Sequence, residues 1–258
     1  MFQNGRHQEI LEILKNERFA SVQDLSRRLF ASPPTIRRDL TALEKQGYVR
    51  RSHGGAILAD DKAGIPVSFR SGRHMAEKLR ICRVAATLIS PASLIFTDAS
   101  TTALHIADHV KDPDRITALT NGYLSCKHMS EQGIRVFSTG GRLLGDSLAF
   151  VGEIAAENVR RYNADIMFFS SSSLDERGMI SDYSEEETEL RLAMFRQASV
   201  RVFLCDSTKF GKRSAFNLCS LSDVDYVITG ASLPQSAIRE CGLHLISQTD
   251  AYLYQKEK

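Results

Sequence analysis

Six short apolar runs, each closed by a polar residue or a glycine, constrain this chain more than any other feature. They read SLIFTD (93–98), ITALTN (116–121), IRVFST (134–139), NADIMFFS (163–170), VRVFLCD (200–206) and DYVITG (225–230). Segments of helical spacing lie between or before them: 77–90, with Leu79, Val84, Leu88 and Ile89 inward, then 101–110, 122–132 and a long helix over 184–198. Nearly continuous apolar strands alternating with helices predict an α/β fold built on a mainly parallel sheet covered by helices. The runs are too short to cross a membrane, which takes about 18 apolar residues. The start, MFQNGRHQEI, has no apolar stretch behind a basic end, so no signal peptide is expected and the cytoplasm is the expected compartment.

The first 58 residues read differently. Ile10, Ile13 and Leu14, with Leu11 beside them, share one face of a helix over 5–17. Ser21 is placed to cap a second helix from Val22 to Phe30, with Asp24 favourable in its first turn and Val22, Leu25 and Leu29 inward. Ser32 caps a third helix that starts at Pro33 or Pro34 and ends at Gly47. Ile36, Leu40 and Leu43 face inward at i, i+4 and i+7, while Arg37, Arg38, Thr41 and Lys45 occupy the opposite arc. The segment YVRRSHGGAIL (48–58) then reads as a two-stranded wing turning at Gly54-Gly55.

Two short helices, a turn, a third helix with a basic outer face and a wing are the parts of a winged helix-turn-helix. In that arrangement Arg37, Arg38, Thr41 and Lys45 face the major groove, where arginine bridges guanine O6 and N7. Arg50, Arg51 and His53 on the wing, with Ser21, Gln23, Ser32 and Thr35 at the helix N-termini, are placed to hold phosphates. The charge distribution agrees. The net charge is only +2, yet residues 1–58 carry ten Lys/Arg against six Asp/Glu and the remainder 23 against 25. A basic head on a slightly acidic body suits a polyanionic partner.

Polar loops close the strands of the body, where open α/β sheets bind ligands. Asp98, Ser100, Thr101 and Thr102 follow the first run, Asn121 the second and Gly140-Gly141 the third; Lys209 lies beyond the run ending at Asp206. Hydroxyls, free amides and a cation at equivalent strand ends suit a small phosphorylated, hydroxyl-rich molecule.

These motifs resemble the DeoR family. TIRRDL (35–40), Leu43-Glu44, Gly47, Arg51 and HGGA (53–56) match its DNA-binding head. TDASTT, LTNG, STGG, Gly152-Glu153, the Glu187-x-x-x-Arg191-x-x-Met194 helix and DSTKFG follow the order of its sensor domain. The resemblance implies a head of 1–58, a linker of 59–76 and an effector-binding α/β domain of 77–258. It further implies a sensor fold like ribose-phosphate isomerase and glucosamine-phosphate deaminase. Asp98, Ser100, Thr101, Thr102, Asn121, Gly140, Gly141, Glu187 and Lys209 would surround one cavity. The implied protein is a repressor of a sugar-catabolic operon that binds double-stranded operator DNA as a homo-oligomer, dimer or tetramer, and answers to a phosphorylated sugar. Departures from the family pattern are Ala31, Ser100, Gly230 and the run Ser170–Ser173. The alternative is a sugar-phosphate isomerase or deaminase with Asp98, Glu187 and Lys209 as acid/base groups.

No cofactor, catalytic residue or metal site is expected. The five cysteines are scattered and never spaced as C-x-x-C. His105 and His109 share a helical i, i+4 spacing, but no third ligand is evident beside them.

Overall fold

The computed structural model describes residues 3–17, 19–46, 48–52, 54–58 and 67–257, and the chain divides into two units, 1–65 and 66–258.

In the first unit, helices α1 (Gln3–Glu17), α2 (Val22–Arg28) and α3 (Pro33–Lys45) surround strands β1 (Phe19–Ser21), β2 (Val49–Ser52) and β3 (Gly55–Leu58). The Asp24 amide donates to Ser21 Oγ at 3.0 Å and the Thr35 amide to Ser32 Oγ at 3.4 Å, so both serines cap as their positions predict. Helix α3 starts at Pro33, whose missing N–H costs nothing in a first turn. Helix α2 ends before the expected Phe30, which adopts φ +50° and breaks the helical course. Ile10, Leu14, Leu25, Ile36, Leu40 and Leu43 are fully enclosed, while Ile13 is only half-buried.

The wing is a hairpin, with Ser52 paired to Gly55 across the turn. Strand β1 was not visible in the sequence. It adds antiparallel to β3, giving the order β1-β3-β2. That pairing explains the second glycine of the turn. A Cβ on Gly55 would lie 2.2 Å from the Ala20 carbonyl oxygen, whereas Gly54 serves the turn itself with φ +76°. Gly47 and His53, assigned roles from sequence, lie outside the described residues.

The second unit begins with α4 (Val67–Arg70) and α5 (Met75–Ala86), so residues expected in the linker are helical from Val67. Strands β4 (Leu94–Thr97), β5 (Thr117–Thr120) and β6 (Arg135–Ser138) follow, with α6 (Tyr123–Glu131) between the last two. A small hairpin, β7 (Arg142–Leu143) and β8 (Phe150–Val151), leads to α7 (Glu153–Val159) and β9 (Ala164–Phe169). Strands β10 (Ser173–Leu174) and β11 (Met179–Asp182) precede α8 (Glu185–Arg196), β12 (Ala198–Cys205), β13 (Phe216–Ser220) and β14 (Tyr226–Thr229). The chain closes with α9 (Gln235–Glu240), β15 (Leu243–Gln248) and β16 (Tyr252–Lys256).

The eight-stranded sheet has the order β15-β16-β14-β12-β9-β4-β5-β6. The six strands from β14 to β6 run parallel, and β16 pairs antiparallel at the end opposite β6. They are the six apolar runs. On β9, Ile166 and Phe168 enter one core while Met167 and Phe169 enter the other, so both faces are dry and alternation is lost.

Two expectations change. The segment after Thr102 is a 3-10 helix (Ala103–His109) rather than an α-helix. Helix α5 turns Lys78, Ile81, Cys82, Val84 and Ala85 into the fold, leaving Leu79 and the downstream Leu88 and Ile89 only half-buried.

Candidate functional site

In the head, α3 presents two faces of opposite character. Ile36, Leu40 and Leu43 are enclosed, and Arg37, Arg38 and Lys45 stand exposed on the other side. The Thr41 hydroxyl donates to the Arg37 carbonyl at 2.8 Å and accepts from Arg51 Nη1 at 3.4 Å. The Arg51 amide donates to the Glu44 carboxylate at 2.9 Å. The wing is thereby tied to the outer face of α3, and Arg50 and Arg51 are both exposed. Gln23 and Ser32 are exposed, and Ser21 and Thr35 half-buried, at the starts of α2 and α3.

Asp39 is the residue of this helix that the sequence reading missed. It is wholly buried and accepts from Arg6 Nε at 2.5 Å and Nη2 at 3.2 Å, and it lies 3.1 Å from His7 Nε2. A single acid thus ties α1 to the back of α3 and fixes how the arginine-bearing face is presented.

In the body, β4 and β9 are neighbours from which the chain runs outward in opposite directions, which is where open α/β sheets leave a crevice. A cleft at the adjoining ends of β4 and β5 is lined by Ala99, Ser100, Thr101, Gly122, Ser125 and Ser147, among others. Thr102 Oγ1, Asn121 Oδ1 and Ser147 Oγ are enclosed without a hydrogen-bond partner among the described residues. Ser147 lines the cleft, and Thr102 and Asn121 adjoin residues that do.

Asp98, Glu187 and Lys209 are brought together through Arg191 and Ser170, but all three are already engaged. Asp98 accepts from the Ser100 and Ser170 amides at 3.1 and 3.0 Å and from Arg191 Nε at 3.0 Å. Arg191 also meets Asp182 at 3.0 Å and Glu187 at 3.8 Å. Burial opposes the charge of Arg191, and Asp182, Asp98 and Glu187 outweigh it, holding the guanidinium above its ordinary range. Burial likewise works against Asp182, yet Arg191 and the Ser172 hydroxyl keep it below the usual carboxylate range. Asp98 and Glu187 therefore anchor Arg191, which leaves them poorly free for acid/base work.

Lys209 Nζ donates to Ser170 Oγ at 2.5 Å and lies 3.3 Å from Asp206. Asp206 is held down to about 2: burial resists its ionisation, and the charge of Lys209 with the Thr208 hydroxyl overrides that. Sequence reasoning missed Lys78. Its ammonium is buried and donates to the Arg70 carbonyl at 2.6 Å and to Thr101 Oγ1 at 2.9 Å. Burial pushes Lys78 down to about 8, and the nearby charge of Lys209 pushes in the same direction. Two ammonium groups thus share one region of the strand ends.

Gly140 and Gly141 have φ of +62° and +99°, and a Cβ on Gly141 would lie 2.6 Å from the Val151 carbonyl oxygen. That glycine permits packing against β8 and α7. Gly230 has a similar explanation, because the Glu77 carboxylate occupies the space of its Cβ while accepting from the Ser207 amide at 2.8 Å.

Residues 6–62 match the DeoR-like helix-turn-helix domain, and residues 73–231 match the DeoR C terminal sensor domain. The chain is 34% identical over 236 residues to the HTH-type transcriptional regulator YgbI of Escherichia coli K12, covering 91% of this chain and 92% of that protein. It is 29% identical over 240 residues to the glycerol-3-phosphate regulon repressor of the same organism, covering 93% and 95%. Among solved structures, ribose 5-phosphate isomerase A from Methanocaldococcus jannaschii has a TM-score of 0.39 at 14% identity, over 52% of this chain and 53% of that one.

Proposed function

The chain belongs to the DeoR family of DNA-binding transcription regulators, and from that premise we propose that it represses a sugar or carbohydrate catabolic operon under the control of a phosphorylated sugar or related metabolite. The observation that carries the reading is the two-faced helix α3. Its apolar stripe and Asp39 are fixed to the head, while Arg37, Arg38 and Lys45 project outward beside the wing arginines. Such a face meets duplex DNA through guanine edges and phosphates. Thr35 and Thr41 on α3, with Ser21, Gln23, Ser32, Arg50, Arg51 and His53, complete the proposed contact set. Operator palindromes require two such heads roughly 34 Å apart, so the acting form is a homo-oligomer, a dimer or tetramer.

The effector reading rests on the strand-end cleft. Lys78 and Lys209 supply positive charge, and the unpartnered oxygens of Thr102, Asn121 and Ser147 are groups that a polar ligand satisfies. Ser100 and Thr101 line that cleft, Asp98 and Glu187 hold Arg191, and Gly140 and Gly141 complete the proposed effector set. The repressor of the glycerol-3-phosphate regulon is a relative named for a small phosphorylated molecule. The chain acts as a regulator, not as an isomerase or deaminase. No helix among the described residues is long and apolar enough to cross a membrane, and a regulator of operator DNA works in the cytoplasm.

The test selects duplexes from a random library with the full chain, then measures anisotropy of the selected duplex with and without each member of a sugar-phosphate panel. Sequence-selective binding that one phosphorylated compound weakens, and its unphosphorylated parent does not, is expected. Binding that ignores duplex sequence would sink the repressor reading, and indifference to the whole panel would sink the effector reading.

A further inference from the structure

We propose that His105, Asp108 and His128 form a binding site for a zinc-class divalent transition metal on the second unit, outside the strand-end cleft. The 3-10 helix aligns it. In an α-helix His105 would share its face with both Asp108 and His109, whereas a 3-10 helix has three residues per turn and eclipses i with i+3. Asp108 therefore stands beside His105, with its Oδ2 3.1 Å from His105 Nδ1. The third group comes from α6, whose His128 Nε2 lies 2.7 Å from Asp108 Oδ1. The two imidazole rings are 6.0 Å apart and inclined at 69°.

The chemistry selects the metal class. One ligand atom from each of the three residues lies within 4.8 Å of the others. A tetrahedral zinc ion with bonds of about 2.0–2.2 Å spaces its ligands roughly 3.3 Å apart, so only small side-chain adjustments are needed. Two imidazole nitrogens and one carboxylate suit zinc and its neighbours rather than magnesium or calcium, which take oxygen sets. With water as the fourth ligand, the ion sits on a half-exposed carboxylate and needs no channel through the core. His105 Nε2 is enclosed without a partner and must carry the ring proton once Nδ1 binds metal, which limits the affinity.

An ion here would clamp two elements that leave the strand ends side by side. The 3-10 helix directly follows Thr101-Thr102, and α6 directly follows Asn121-Gly122. The site itself does not depend on what the cleft binds.

The experiment strips the full chain with chelator and titrates it with Co2+, read by visible absorption, and with Zn2+, read by calorimetry. The expected result is one saturable ion per protomer with the strong visible bands of four-coordinate cobalt. Asp108→Asn and His128→Gln should weaken binding by at least the roughly ten- to hundred-fold that losing a supporting contact costs a metal site. The exposed control His244→Gln should bind as the unaltered chain does. Should the cluster variants fail to fold, X-ray absorption of the unaltered zinc complex decides, with two imidazole shells and an oxygen shell expected. Absence of saturable binding, equal binding by the cluster variants and the parent, or a sulfur shell would overturn the site.

Discussion

The two units place the arginines and lysines of their candidate sites differently. In the head, Arg37, Arg38, Lys45, Arg50 and Arg51 are exposed, and the structural work falls to one buried acid, Asp39. In the body, Lys78 and Arg191 are buried, and acids are brought in to hold Arg191 and Lys209. The difference teaches what each unit can bind. Exposed cations spread over a helix and a wing match an extended polyanion whose charges repeat along a surface. Enclosed cations among hydroxyls match one small anion, because burial strengthens each charge interaction and admits only what fits.

The buried ion pairs are the place to break that comparison most severely. Asp39→Ala leaves Arg6 enclosed without its carboxylate and should cost about 3–5 kcal/mol, enough to unfold the small head. Arg191→Ala does the same to Asp98 and Asp182 in the body. Denaturant unfolding followed by hydrogen exchange should show loss of protection in α1–α3 for the first variant and in β4, β9 and α8 for the second. Protection lost in both units from either change would mean that the two do not fold as separate units.

Next in size is the outer face. Arg38→Ala should weaken binding to the selected duplex by about 1–3 kcal/mol and, where Arg38 meets phosphate, lower the salt slope by about one. Its thermal midpoint should match that of the parent. Unchanged anisotropy at fixed salt would remove Arg38 from the interface.

Lys78 sharpens the body's half. Its folded pKa is lowered, so the free protein holds this ammonium only below about 8. Anion affinity should therefore be greatest below that pH and fall by up to roughly tenfold per unit above it, until the ligand-bound pKa is passed. The same shift makes stability without ligand rise with pH between about 8 and the unfolded lysine value, since the unfolded chain binds more protons there. Lys78→Met should flatten the affinity profile. A profile that kept its slope in that variant would assign the titration elsewhere.

The smallest effect lies at the turn before α3. Phe30 is 97% exposed with φ +50°, a conformation in which a bulky residue is strained. Phe30→Gly should stabilise the head by about 0.5–1 kcal/mol. A lower midpoint would show that the ring makes a contact worth more than the strain.

Much of this was legible from the residues. The six runs became the six parallel strands, the inner ones because they are buried on both faces, and the serine caps at 21 and 32 formed because local hydrogen bonds decide them. Two misses share one signal. Asp39 completes Ile36, Leu40 and Leu43 at i+3, and Lys78 opens the stripe of Ile81, Cys82 and Ala85 at i+3, i+4 and i+7. A charge inside an apolar stripe announces a buried polar contact, but helical periodicity does not name its partner. Strand β1, only three residues long, left no pattern, and neither did the 3-10 geometry that aligns Asp108 with His105.

By itself, then, the sequence determined the six parallel strands, the inward stripes of α2 and α3, the outward arginines and the strand-end loops. All of these follow from periodicity and from contacts a few residues apart. Only the tertiary structure decided that Arg6 meets Asp39, that Arg191 gathers Asp98, Asp182 and Glu187, and that Lys78 and Lys209 approach one another. Arg191 meets Asp182 and Glu187 within nine residues, but the approaches of Arg6 to Asp39, Arg191 to Asp98 and Lys78 to Lys209 span tens of residues or more, and they depend on how the helices of the head and the strands of the sheet pack, a property no local spacing encodes.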